Sequence, residues 1–255
     1  MQINIDILPA YAFVYMLIFA RVGTMIMLMP ALGETSFPTR MRLVFALALS
    51  YVLFPLVSTE FPGVPSDFGS ILRILTAELA VGFMIGLITR FIIACLQIAG
   101  TTIAFQVGLG FAQNVDPTQG VQGALFASFL SMLGITLIFV TDMHYLLIGA
   151  IRDSYILFRP GVAPPLADAV RLAVETFAGT FRVGIQISAP FIAFGLIFYL
   201  GLGVLSRLMP QIQIFFLAMP ANIMLGFLLL ALLLSSMMMW YLDHVGTSID
   251  PFLVK

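Results

Sequence analysis

Gly100–Gly123 reads GTTIAFQVGLGFAQNVDPTQGVQG, and it interrupts a chain built otherwise from long apolar runs. Five glycines punctuate it: Gly100, Gly108, Gly110, Gly120 and Gly123. Phe105, Leu109, Phe111 and Val115 keep it apolar, while Gln106, Gln113, Asn114 and Asp116 make it half polar. Asp116-Pro117 resists helix, because proline lacks an N–H and pushes the preceding residue out of the α region. The stretch therefore reads as a non-helical insertion at or near membrane depth. Irregular backbone persists there only when buried in protein or lining a watery passage. A plain interhelical loop is the other reading that these residues leave open.

The surrounding composition is that of a membrane protein. Hydrophobic residues make up 61% of the 255 and charged residues only 9%, against about 25% charged in a soluble domain. The net charge is −1, and the single lysine is Lys255. No basic patch is available for nucleic acid, so none is expected as a partner. With Cys95 as the only cysteine, an internal disulfide and zinc-type Cys spacing are both excluded. The beginning, MQINIDILP, is acidic and lacks a small-residue cleavage site, which does not read as a removed signal peptide.

Outward from the insertion, the apolar runs are long enough for spans of roughly 30 Å. Tyr11–Leu32 is the first, with Arg21 inside it, and Leu43–Thr59 the second, closing at Pro55 and the acidic loop Glu60–Asp67. The third runs from Ile71 past Glu78 and Arg90 to Ala99. After the insertion come Ala124–Thr141 and the shorter Tyr145–Phe158. Gly161–Arg182 has the period of a surface amphipathic helix: Leu166, Val170, Val174 and Phe177 on one face, Asp168, Arg171 and Glu175 opposite. An uncharged span through Pro190 follows, then a turn at Arg207–Gln211 and a last helix over Ile223–Leu242 after a kink at Pro220. The expected fold is all-α, with about six long apolar helices in hairpins, in one domain over 1–255. Arg40 and Arg42 in the first loop, against Glu60 and Asp67 in the second, favour an outside N-terminus.

Few residues could carry chemistry. Arg21, Glu78 and Arg90 lie inside spans, where a charge costs about 2.5–3.5 kcal/mol unless it faces protein or a cavity. A polar path and structural pairing between helices or subunits both fit, and the second fits better, because Glu78 is the only acid inside a span. His144 and His244 fall at expected helix ends with no ligand spacing around them, so no metal site is expected. Hydrolase, P-loop and dinucleotide motifs are missing, and neither catalytic residues nor a cofactor is expected. Met25, Met27, Met29 and Met237–Met239 suit adaptable packing or a deformable seal. Gly82 and Gly86, four apart, allow close helix approach, and Gly201 and Gly203 suggest the same.

Four pieces together resemble one family. They are ARVGTMIMLMPALGETSFPTRMRL (Ala20–Leu43), ELAVGFMIG (Glu78–Gly86), QIAGTTIAFQVGLGFAQNVDPTQG (Gln97–Gly120) and GLGVLSRLMPQIQIFFLAMP (Gly201–Pro220). The chain is similar to the FliR family of flagellar type III export gates, called SctT in injectisomes, and the Asp116-Pro117 and Arg207–Gln211 segments look more like the flagellar branch. The resemblance implies a non-enzymatic subunit, FliP-like over about 1–180 and FliQ-like over 181–255. It would join FliP and FliQ, with FlhB associated, in a pore-forming gate of the inner membrane and flagellar basal body. Unfolded flagellar proteins would pass through its centre. The family's plug loop corresponds to Gln106–Gln122, which makes Gln106, Gly108, Leu109, Gly110, Phe111, Val115, Asp116 and Pro117 the expected gating residues. Arg21 and Arg207 would then be charges satisfied at subunit interfaces, and some apolar helices would be buried in protein rather than lipid. The short tail after Pro251 departs from some relatives. A stand-alone small-solute transporter is the competing reading. It would need paired broken helices in matching halves, and only one broken region is legible.

Overall fold

The computed structural model describes residues 7–34, 37–61, 63–109, 124–162, 164–209 and 214–254. The chain is all-α, with seven helices and no strand among the described residues. They are α1 (Ile7–Leu28), α2 (Thr39–Val57), α3 (Phe68–Gln106), α4 (Ala124–Val140), α5 (His144–Leu157), α6 (Leu166–Leu208) and α7 (Ile214–Ile249), with short 3₁₀ turns at Ser58–Glu60 and Asp250–Phe252. Five are long and apolar enough to cross a membrane, or six if α4 and α5 count as one broken span. Asp142, at φ 60, makes the break between that pair. Aspartate tolerates this left-handed geometry better than most residues.

Three boundaries differ from the sequence reading. The first concerns Gly100, which does not end the third helix: α3 runs on to Gln106. Its polar residues find partners along the helix itself, since Thr101 Oγ1 donates to Gln97 O at 2.6 Å and Thr102 Oγ1 to Ile98 O at 2.8 Å. Gly100 is there for packing. A Cβ at that position would sit 2.5 Å from the backbone nitrogen of Ala127 on α4. The helix ends instead at Gly108, whose φ of +88 closes it in the left-handed conformation that glycine adopts freely.

The second concerns Gly161–Arg182 and the span after it, which form one 43-residue helix, α6. Charge falls away after Arg182, but nothing there breaks the backbone. Pro190 removes one hydrogen bond without ending the helix. The third concerns α7, which begins before Pro220 and extends to Ile249. His244 therefore lies within a helix and not at its end.

The helices build two compact units, and α3, α6 and α7 each contribute to both. The first holds residues up to Ile92, Thr141–Phe177 and the end of the chain from Gly246. Here α1 and α2 pack as a hairpin, with Tyr11 against Phe54 at 5.8 Å and Tyr15 Oη donating to Leu47 O at 3.0 Å. Arg42 fastens the connection by donating to Phe37 O at 2.9 Å and Glu34 O at 3.1 Å. Gly82 and Gly86 let α3 close on α1, next to Thr24 and Leu28 respectively. The second unit holds Ile93–Val140 and Ala178–Val245. In it Gly134 of α4 lies against Leu96 and Tyr241. Gly201 and Gly203, by contrast, have no described residue within 4 Å of an added Cβ.

Burial singles out α3: 61% of its apolar window is buried, against 22% in α2, α6 and α7. Met25, Met29, Met237 and Met238 are core residues, while Met27 and Met239 are exposed.

Candidate functional site: a buried ion pair and the end of α3

Arg21 on α1 and Glu78 on α3 have no exposed surface at all. Arg21 Nε donates to Glu78 Oε2 at 2.7 Å. Its Nη1 donates to the carbonyls of Ser154 and Phe158, at 3.0 and 3.1 Å. Ser154 O also accepts the N–H of Phe158 at 2.9 Å, and a cation at the end of a helix complements its dipole. Glu78 Oε1 accepts the N–H of Gly161 at 2.8 Å, in the turn that follows α5. The guanidinium carbon stands 4.3 Å above the ring of Tyr155, which adds a cation–π contact. Arg21 Nη2 alone has no acceptor among the described residues.

This arrangement is a clamp. Both carboxylate oxygens are engaged. The pair ties α1 and α3 to the end of α5 and to the turn leading towards α6. Arg21 finds these partners within this chain. Sequence reasoning singled out Arg21 and Glu78 but missed Ser154, Tyr155 and Gly161, because a carbonyl or a ring partner leaves no charge signature.

The other two charges differ. Arg90 Nη1 donates to Glu34 Oε1 at 2.7 Å, with side chains 37% and 27% exposed. Arg207 lies in the last turn of α6, exposed, with no carboxylate within 4.0 Å among the described residues.

Gln106, Gly108 and Leu109 stand at the end of α3, in the second unit. Asn222 of α7, itself 3% exposed, donates from Nδ2 to Gln106 O at 3.2 Å. Val107 fills the space left by Gly226 of α7, and the Gln106 side chain lies against Gly195 of α6. Leu109 lines an apolar hollow with Phe126, Phe129 and Phe227. The end of α3 is thus gripped by two glycines and one buried amide. Asn222 was not among the sequence candidates, although a lone amide in a long uncharged run was the available signal. Gly110, Phe111, Val115, Asp116 and Pro117 lie outside the described residues.

Residues 12–248 match the family of bacterial export proteins, family 1. The chain belongs to that family. It is 42% identical to the flagellar biosynthetic protein FliR of Caulobacter vibrioides over 94% of this chain and 96% of that one. Two more distant relatives carry the same name: one from Bacillus subtilis, 29% identical over 91% of this chain and 88% of its own, and one from Escherichia coli, 28% identical over 84% and 81%. The family match, over residues 12–248, includes the buried pair, the end of α3, all of α6 and nearly all of α7. Membership in an export family fits an all-α chain whose only buried ion pair among the described residues is a closed structural clamp.

Proposed function

We propose that this chain is a non-enzymatic subunit of the flagellar type III protein export gate in the bacterial inner membrane, at the flagellar basal body. It joins FliP and FliQ, with an FlhB-like protein alongside, around a channel for unfolded flagellar proteins. The observation that carries this reading is the 42% identity to a FliR protein over almost the full length of both chains. The exposed apolar faces support it. Tyr51 and Val52 on α2, Leu196 and Ile197 on α6, and Met224 and Leu232 on α7 are all more than half exposed and need lipid or other subunits to cover them. Deleting the gene should abolish flagellar filaments, and the tagged protein should copurify with FliP and FliQ. Normal filaments in the deletion strain, or purification of a stable lone chain, would refute the assignment.

The loop after Gln106 serves in this reading as the plug of the closed channel. Its apolar Leu109, Phe111 and Val115 exclude water, and its glycines let it move. Deleting Val107–Gln119 should leave the assembled gate permeable to small ions, and an ion-tight deletion mutant would remove the plug assignment. Arg207, open at the end of α6, is the charge in this reading that meets another subunit.

A further inference from the structure

The end of α2 and the C-terminal half of α5 border a cavity of about 340 Å³ that the export reading does not use. All of it belongs to the first compact unit. Its walls combine two chemistries: Arg152, Arg159 and Glu60 supply charge, while Leu56, Ile156 and the Tyr155 ring supply apolar surface.

Neither arginine has a carboxylate closer than 4.0 Å among the described residues. The nearest carboxylate to Arg152 is that of its neighbour Asp153, 4.0 Å away, and the Arg152 side chain is 66% exposed. Asp153 uses its other oxygen to accept the N–H of Val254 at 3.0 Å. Arg159 has no carboxylate within 4.0 Å among the described residues. The third cation nearby, Arg21, is paired with Glu78 and donates to the carbonyls at the end of α5.

The apolar wall leads away from these charges. Leu56 and Ile156 are 62% and 60% exposed, and the exposed face of α2 continues along Val52 and Tyr51 without a charge back to Leu43. That run is about 20 Å long as a helix, roughly two thirds of the hydrocarbon depth of a bilayer. The charges sit where that apolar run ends.

A ligand that satisfies every wall needs a phosphate for the two guanidiniums, an amine for the carboxylate and hydrocarbon for the apolar face. Guanidinium favours phosphate because its planar fork matches the oxygens, and basic pockets beside membrane helices bind lipid headgroups. We propose that this cavity binds the headgroup of an amine-bearing phospholipid. The phosphate lies between Arg152 and Arg159, the ammonium faces Glu60, and the acyl chains follow Leu56 and Ile156. An inorganic phosphate ion would leave Glu60 opposed to it and the volume mostly empty.

The test uses the full chain purified in detergent with whatever subunits accompany it, stripped of lipid. It is titrated with short-chain phosphatidylethanolamine, short-chain phosphatidylglycerol and soluble O-phosphoethanolamine, with native mass spectrometry counting bound molecules. Phosphatidylethanolamine should bind best. The Arg152→Gln/Arg159→Gln double variant should weaken it roughly tenfold or more, because two charge-assisted contacts are lost. Glu60→Gln should weaken phosphatidylethanolamine while leaving phosphatidylglycerol unchanged. Unaltered lipid binding by the double variant overturns the proposal. So does O-phosphoethanolamine binding as tightly as the lipid, which would make this a soluble-phosphate site. Loss of accompanying subunits from the double variant with lipid binding intact would assign the arginines to a protein contact instead. None of these outcomes depends on the export function, which the deletion strain tests separately.

Discussion

The N–H of Gly161 donates to Glu78 Oε1 at 2.8 Å across 83 positions of sequence. The carboxylate that neutralises Arg21 therefore also fixes the turn after α5. Removing either charge leaves the other buried and unpaired, which costs about 3–5 kcal/mol in comparable pairs. Arg21→Ala and Glu78→Ala should each lower the amount of protein in membranes and its thermal unfolding midpoint. Arg21→Met/Glu78→Leu should recover part of that loss, since an apolar pair strands no charge. Arg21→Lys should fail to rescue, because one ammonium cannot reach Glu78 and two carbonyls at once. Single variants as stable as the wild type would show that the clamp contributes nothing.

The Arg90–Glu34 pair gives the contrast. Its side chains are 37% and 27% exposed, where screening reduces an ion pair to about 0–1 kcal/mol. Glu34→Gln should change the unfolding midpoint little, and raising salt should erase the difference. A destabilisation matching that of Glu78→Ala would contradict this ranking.

Gly100 and Gly201 make a matched pair on long helices. A Cβ at Gly100 meets the Ala127 backbone, whereas one at Gly201 meets nothing within 4 Å among the described residues. Gly100→Ala should destabilise by about 1–3 kcal/mol through overpacking. Gly201→Ala should be neutral or add up to about 1 kcal/mol in the purified chain, through helix propensity. Equal effects on the denaturation midpoints of the two variants would break the packing argument. A strong loss of assembly with Gly201→Ala alone would instead place another subunit on that face.

At the end of α3, Gly108 has φ +88, which costs an alanine about 1–2 kcal/mol. Asparagine tolerates this geometry better. Gly108→Ala should therefore fray the last turn of α3, and Gly108→Asn should do so less. Asn222→Ala removes the donor to Gln106 O and should loosen the same turn. Hydrogen exchange over residues 103–108 of the purified protein reads this directly. Unchanged protection in both Gly108→Ala and Asn222→Ala would mean that the turn is held elsewhere.

Much of this architecture was legible in the sequence. Ala124–Thr141 and Tyr145–Phe158 fell within a residue or so of α4 and α5, because uninterrupted apolar runs with a polar break leave few alternatives. Gly82 and Gly86 gave away a close approach by α3, but not that α1 is the helix that makes it. Gly100 misled, because a glycine that breaks a helix and one that admits a neighbouring helix look alike in sequence. Arg182 misled for a related reason, since a change in polarity marks a change of surroundings and not of backbone.

By itself, then, the sequence determined an all-α chain of long apolar helices and its resemblance to an export family, since hydropathy and motif order are properties of local segments. Only the tertiary structure decided that Arg21 belongs to Glu78 and the end of α5, that α3 continues to Gln106, and that Asn222 holds the end of α3. Those partners lie 57, 133 and 116 positions apart. No local pattern encodes such pairings, because they exist only once packed helices exclude water and each buried polar group must find a partner.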